Sequence, residues 1–168
     1  VTHLQHAAHA CRRVDEAAGL LERRRDRLFD EHVEAVLEAL LRDRLDAATD
    51  AGLKSTWFGA LRSVAITPAT VAWLQALWER EATIPGLPLV EADEAALAHA
   101  LAVRSVGGEQ RILDTQRDRI TNPDRKARFE FVLPALNADA RVREKWFVSL
   151  EDVNNRRHEP WVLEGLSY

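Results

Sequence analysis

Apolar residues in this chain recur at spacings of mostly three and four, and no stretch alternates apolar and polar over a strand length. Two of the helical runs also open on a capping residue followed by proline. Together these features restrict the chain to an all-α fold built from short rods with hard ends. "ITNPDRKARFEFVLPAL", residues 120–136, shows the logic. Asn122 offers the side-chain oxygen that caps the first turn, Pro123 takes the first helical position where its missing N–H costs nothing, and Asp124 suits the positive end of the helix dipole. Phe129, Val132 and Leu136 form the stripe expected to be buried. Pro134 deletes the hydrogen bond to residue 130, at about 3 kcal/mol in a helix interior, so the rod is expected to kink or end there.

The other rods read in the same way. One amphipathic helix spans residues 20–48, with Leu21, Leu28, Val33, Val36, Leu37, Leu40, Leu41 and Leu45 as its apolar set. A separate helix over residues 3–18 precedes it, with Gly19 as the joint. "KSTWFGALRSVA" places Trp57, Leu61 and Val64 on one face, and "TPATVAWLQALWERE" starts on Thr67 and Pro68. Residues 82–92, with Pro85, Gly86 and Pro88, form an inter-helix loop. Asp93 is expected to cap the next rod, Glu94 to suit its positive end, and Gly107 and Gly108 to terminate it. "EQRILDTQRDRI" presents Ile112, Thr115, Gln116 and Arg119 on a stripe too polar for a deep core, which predicts an edge helix.

Val142, Trp146 and Leu150 make the next stripe, and Pro160 opens the last rod, where Trp161, Val162 and Leu166 are available for packing. Proline-led starts at 123 and 160 enclose a helix pair of 160 − 123 = 37 residues, close to a HEAT-like repeat of roughly 40. The expectation is an α-solenoid: a HEAT-like superhelical array of antiparallel helix pairs, forming a single domain over residues 1–168.

Composition removes several classes of function. Formal net charge is −4 and the pI about 5.9, so no basic field surrounds the molecule that would neutralise the phosphates of a nucleic acid. No apolar run approaches the roughly 18 residues of a membrane span, and no signal-peptide pattern opens the chain. Cys11 is the single cysteine, which forbids an internal disulfide; a reducing, cytoplasmic setting is the default expectation. The chain has no methionine, and "EPWVLEGLSY" stops within an apolar helical pattern, so it reads as a fragment of a larger protein.

Candidate chemistry is sparse. His3, His6 and His9 lie near Cys11, but their side chains spread over too wide an arc to converge on one metal, and no carboxylate completes a set. They read as a solvated helix end. The tryptophans at 57, 73, 78, 146 and 161 read as inter-layer core rather than a ligand cage, Trp161 most clearly so. "ERRRDR" at 22–27 reads as a solvated face opposite acids such as Glu31 and Glu34. Arg117, Arg119, Arg125, Lys126 and Arg128 mingle with Asp114, Asp118 and Asp124, the pattern of exposed ion pairs worth about 0–1 kcal/mol each. The residues reveal neither a catalytic centre nor a metal site.

The run "ILDTQRDRITNPDRKARFEFVLPAL…REKWFVSL…NNRRHEPWVLEGLSY" resembles the C-terminal helical domain of bacterial members of the aminopeptidase N family of zinc metallopeptidases. The likeness is good over residues 112–168, weaker over 54–104, and limited to helical character before 50. It implies a HEAT-like domain that sits over the catalytic domain of the same parent chain, encloses a peptide-sized chamber and helps position the substrate. Zinc, held by an H-E-x-x-H helix and a further Glu, would belong to the parent chain. "HEPWV" at 158–162 has only the first two letters of that signature, and a chain without methionine cannot carry the family's G-x-M-E-N motif.

Under this resemblance Arg117, Arg125, Arg128, Arg156 and Arg157 are candidates for gripping a peptide carboxylate, for which a planar five-donor fork is suited. Asn122, Pro123, Pro134, Pro160 and Trp161 are structural. Two other readings stand beside it: a stand-alone α-solenoid that binds a protein or peptide, and a small helical metalloenzyme using the N-terminal histidines.

Overall fold

The computed structural model describes residues 32–104, 108–156 and 158–168. Expectations for residues 3–31, Gly107 and Arg157 lie outside them. Among the described residues the chain is all-α. A helical stretch over residues 32–47 (α1) is followed by α2 (Ala51–Val64), α3 (Pro68–Trp78), α4 (Glu91–Val103) and α5 (Glu109–Arg119). Next come α6 (Pro123–Val132), a 3-10 turn (Leu133–Leu136), α7 (Ala140–Ser149), the single turn α8 (Val153–Arg156) and α9 (Glu159–Leu166). No helix among the described residues is long and apolar enough to cross a membrane.

The starts of these rods follow the punctuation. Asp50, Thr67, Asn122 and Asp139 each accept a hydrogen bond from a first-turn N–H, and Pro68 and Pro123 occupy the first helical positions behind two of those caps. Pro134 ends α6 at Val132 and turns the chain into the 3-10 segment. In the loop between α3 and α4, Pro85 and Gly86 (φ 77°) form a tight turn closed by Leu87 N–H to the Ile84 carbonyl at 3.0 Å. Only glycine fits there, because a Cβ would also meet Lys54 Cε at 3.3 Å.

Neighbouring helices satisfy one another's ends. Glu38 of α1 accepts from the backbone N–H groups of Ile66 and Thr67 at 2.7 and 2.9 Å, and from the Thr67 hydroxyl, at the start of α3. Lys54 of α2 donates to the Leu45 carbonyl at the end of α1. Arg104, just past α4, donates to the carbonyls of Arg62, Ser63 and Ala65 at the end of α2. Such contacts occupy some of the four N–H and four C=O groups that every helix leaves open at its ends.

α4 is the hub. It packs against α2, α3, α5 and the 3-10 turn, and six consecutive residues, Leu97 to Ala102, are buried. A helix covered on most of its circumference has little amphipathic signal, and "ALAHALA" shows little. The main apolar cluster runs from Leu41 and Leu45 in α1, through Phe58, Leu61, Leu74 and Trp78, to Ile112 and Phe129.

Four details differ from the sequence reading. α4 begins at Glu91, so Asp93 sits in its first turn and reaches back to the Val90 N–H at 3.1 Å instead of capping; the local carboxylate served an earlier start. Gly108 (φ 76°) precedes α5 instead of terminating α4. α5 is a core helix and not an edge: Ile112, Leu113 and Gln116 are buried. Its polar groups are absorbed by Trp78, whose Nε1–H donates to Gln116 Oε1 at 2.8 Å, while Arg119 stacks on the indole at 4.5 Å and donates to the Trp78 carbonyl. Finally, Val33, Val36, Leu37 and Leu40 of α1 and Leu166 of α9 are exposed, whereas Leu41 and Leu45 are buried.

Candidate functional site

The register of α4 that buries Leu97 and Leu101 also carries His99 inward, leaving it 2% exposed. Its ring stacks on Phe129 of α6 (4.5 Å between centroids, 18° between planes) and meets the edge of Tyr168 at 5.7 Å. Neither ring nitrogen makes an aligned hydrogen bond. Nδ1 lies 3.3 Å from Glu164 Oε1, close enough for ion pairing when the imidazole is charged.

Glu164 reaches His99 because α9 packs against α6 and the 3-10 turn, with one close approach to α7. Gly165 faces the Trp146 ring, and a Cβ there would come within 2.5 Å of two ring carbons. Trp146 is itself fixed by its Nε1–H bond to the Phe131 carbonyl at 2.9 Å. Phe131 then carries Trp161 at 5.8 Å, and Trp161 stacks on His158 at 4.2 Å. Half-buried Trp161 thus belongs to the packing that seats α9.

These helices leave a cleft of about 400 Å³ whose polar lining is Arg62 of α2, Glu91 and His99 of α4, Arg125 and Arg128 of α6, Glu164 of α9, and Tyr168. Arg128 pairs with Glu164 at 2.5 Å, and Arg125 with Glu91 at 3.3 Å. Burial presses the Glu164 carboxyl upward, but His99 and Arg128 more than offset this and hold it below the usual carboxylate range. The backbone N–H and hydroxyl of Thr121 lower Glu91 in the same sense, fixing its carboxylate at the start of α6. Burial and the Glu164 charge raise the Tyr168 phenol, which keeps it protonated.

Of the candidate arginines, Arg125 and Arg128 are brought together here. Arg117 lies apart on α5, paired with Asp114 and Asp118 of its own helix at 3.4 and 3.6 Å. Arg156 is exposed on α8 and does not line the cleft. Arg62, His99, Glu91, Glu164 and Tyr168 were not anticipated. One signal could have revealed His99: it is the sole polar letter in an apolar run.

A larger groove of about 780 Å³, bordered by α5, the 3-10 turn and α7, is mostly aliphatic, and its Arg143 is committed to the Asn137 and Ala138 carbonyls. Among the described residues no group of three His, Cys, Asp or Glu side chains could hold a metal ion. Among the described residues the cleft is where charge, burial and a buried ring without an aligned hydrogen bond coincide. In comparisons of the chain with protein-family models, curated proteins and solved structures, nothing matches.

Proposed function

We propose that the chain is a non-catalytic helical domain, the C-terminal part of a zinc aminopeptidase, which encloses the catalytic chamber of its parent and helps position the peptide. The rods would stack as a HEAT-like solenoid against the parent's catalytic domain. The observation that carries this reading is the convergence of Arg125 and Arg128, both from the run that resembles the aminopeptidase N family, on one cleft with a buried histidine. In such a domain the cleft contributes binding and orientation, while the zinc and the general base belong to the catalytic part of the parent.

A stand-alone peptide- or protein-binding module is the second reading. It is favoured by the exposed apolar side chains of Phe147, Val148 and Val153 along α7 and α8.

The reading frame around the coding sequence separates the two. The peptidase reading expects an upstream H-E-x-x-H segment with a Glu a few tens of residues later, and zinc-dependent release of amino acids by the full protein. An upstream frame without that signature overturns it. So does turnover of an amino-acyl reporter by residues 1–168 alone that survives chelation and repurification.

A further inference from the structure

α1 has two apolar faces. One, with Leu41 and Leu45 beside Glu38, is buried in the molecule. The other carries Val33, Val36, Leu37 and Leu40 at i, i+3, i+4 and i+7, each between 41% and 54% exposed. Single exposed apolar residues need no explanation, but a continuous stripe at helical spacing is the surface that a second helix covers.

Charged residues border the stripe in a telling order. At about 100° per residue, Glu34 and Arg44 fall on one side of it, with Arg44 one turn beyond Leu40, and His32 and Asp43 fall on the other. Among the described residues none of these four side chains has an ion-pair partner, whereas Arg42 and Asp46 of the same helix pair with each other.

That order decides how a second α1 could lie on the first. Parallel and in register, two copies would set Glu34 beside Glu34 and Arg44 beside Arg44, which repel. Antiparallel about a two-fold axis at the level of Glu38, Val36 and Leu37 of one copy meet Leu40 of the other, and Val33 meets the aliphatic stem of Arg44. The same placement sets Glu34 opposite Arg44 on one side and His32 opposite Asp43 on the other, and the two-fold repeats both. The helix expected over residues 3–18 fits the stripe less well. Folded back at the Gly19 joint, it would run beside residues 20–35 and stop short of Leu37 and Leu40.

We infer that the exposed stripe of α1 is an interface for a second copy of this chain, formed as an antiparallel helix pair with reciprocal Glu34–Arg44 and His32–Asp43 contacts. One helix pair is smaller than the roughly 1,600 Å² of a standard interface, so the dimer is expected to be weak, with a dissociation constant on the order of 10–100 μM. It goes beyond the domain reading and does not depend on it, because the lining of the cleft takes no part.

The test is sedimentation equilibrium of residues 1–168 across concentrations that bracket that constant. Wild type is expected to show a reversible monomer–dimer equilibrium. Leu37→Glu should weaken the dimer about tenfold or more with the helical circular dichroism unchanged, because Leu37 is already exposed. Phe147→Glu, on the exposed surface of α7, should leave the dimer intact. Glu34→Arg and Arg44→Glu should each weaken it about fivefold, and an equimolar mixture of the two should recover wild-type association, because opposite charges then meet across the pair. The charge variants also keep the test open if Leu37→Glu proves unstable.

A monomer at every concentration overturns the interface, and so does a dimer that Phe147→Glu breaks and Leu37→Glu does not. A mixture that associates no more tightly than its two components overturns the antiparallel pairing. None of these outcomes touches the upstream zinc signature, on which the domain reading stands or falls separately.

Discussion

Glu38 and His99 are buried to nearly the same degree, 3% and 2% exposed, and both lie where several helices meet. Around Glu38 the chain has placed three donors, the N–H groups of Ile66 and Thr67 and the Thr67 hydroxyl. The side chain is covered only thinly, so although burial pushes its carboxyl upward, those donors prevail and keep it below the usual range. Around His99 the chain has placed aromatic faces, one carboxylate without hydrogen-bond alignment, and an open cleft. The difference separates two uses of a buried polar group. The first is a joint whose energy is already realised in the folded state; the second leaves ring nitrogens without an aligned hydrogen bond at the wall of a cleft.

Breaking the joint should give the largest effect. Glu38→Ala strands two backbone donors at the head of α3 and removes one of the contacts between α1 and α3, at an expected cost of about 3 kcal/mol by denaturant unfolding. A loss under about 1 kcal/mol would show that water replaces the carboxylate and that the joint is ornamental. Second in size is Gly165→Ala, which drives a methyl into the Trp146 ring and should cost about 2 kcal/mol. It also displaces Glu164, so the Arg128 pair and the cleft should be disturbed while the Glu38 joint is not. Heteronuclear NMR shifts confined to α4, α6 and α9 would agree; shifts at Ile66 and Thr67 would not.

Acidification probes both regions at once. Glu38 and Glu164 have folded-state pKa values below the ordinary 4.5. A carboxyl depressed on folding contributes stability that is present above its unfolded value and lost as pH falls through its folded value. Unfolding free energy should therefore decline as the pH drops below about 4.5. Glu38→Gln should flatten that decline, and Glu164→Gln should flatten it further. Curves of the same steepness in wild type and both variants would show that other carboxyls carry the acid sensitivity.

Much of the scaffold was legible from the sequence, and much of the cleft was not, for a physical reason. Helix starts are local: Asn122 and Pro123 act on the turn beside them, so four letters suffice to place the head of α6. Pro134 is equally local, and α6 does end at Val132. By contrast, the polar stripe of α5 looks like a surface until Trp78, 38 residues away, supplies the partner for Gln116. The cleft draws on α2, α4, α6 and α9, and the pairing of Arg128 with Glu164 spans 36 residues. Charge patterning along a helix could select Arg125 and Arg128, yet it could not distinguish a neutralised arginine from Arg62, because the neutralising glutamates lie on other rods.

The two smallest effects sharpen the comparison most. His99→Leu removes ring nitrogens that lack an aligned hydrogen bond while keeping an apolar body against Phe129, so stability should stay within about 1 kcal/mol of wild type or rise. A buried polar residue whose replacement leaves the fold intact is the opposite of Glu38. Arg117→Ala provides the baseline. Its partners, Asp114 and Asp118, sit on the same exposed stretch of α5, where two long side chains lose as much entropy as the screened attraction returns. The expected change is under about 0.5 kcal/mol by denaturant unfolding. A loss above about 1 kcal/mol would show that these surface pairs are coupled to the buried face of α5, where Ile112, Leu113 and Gln116 lie.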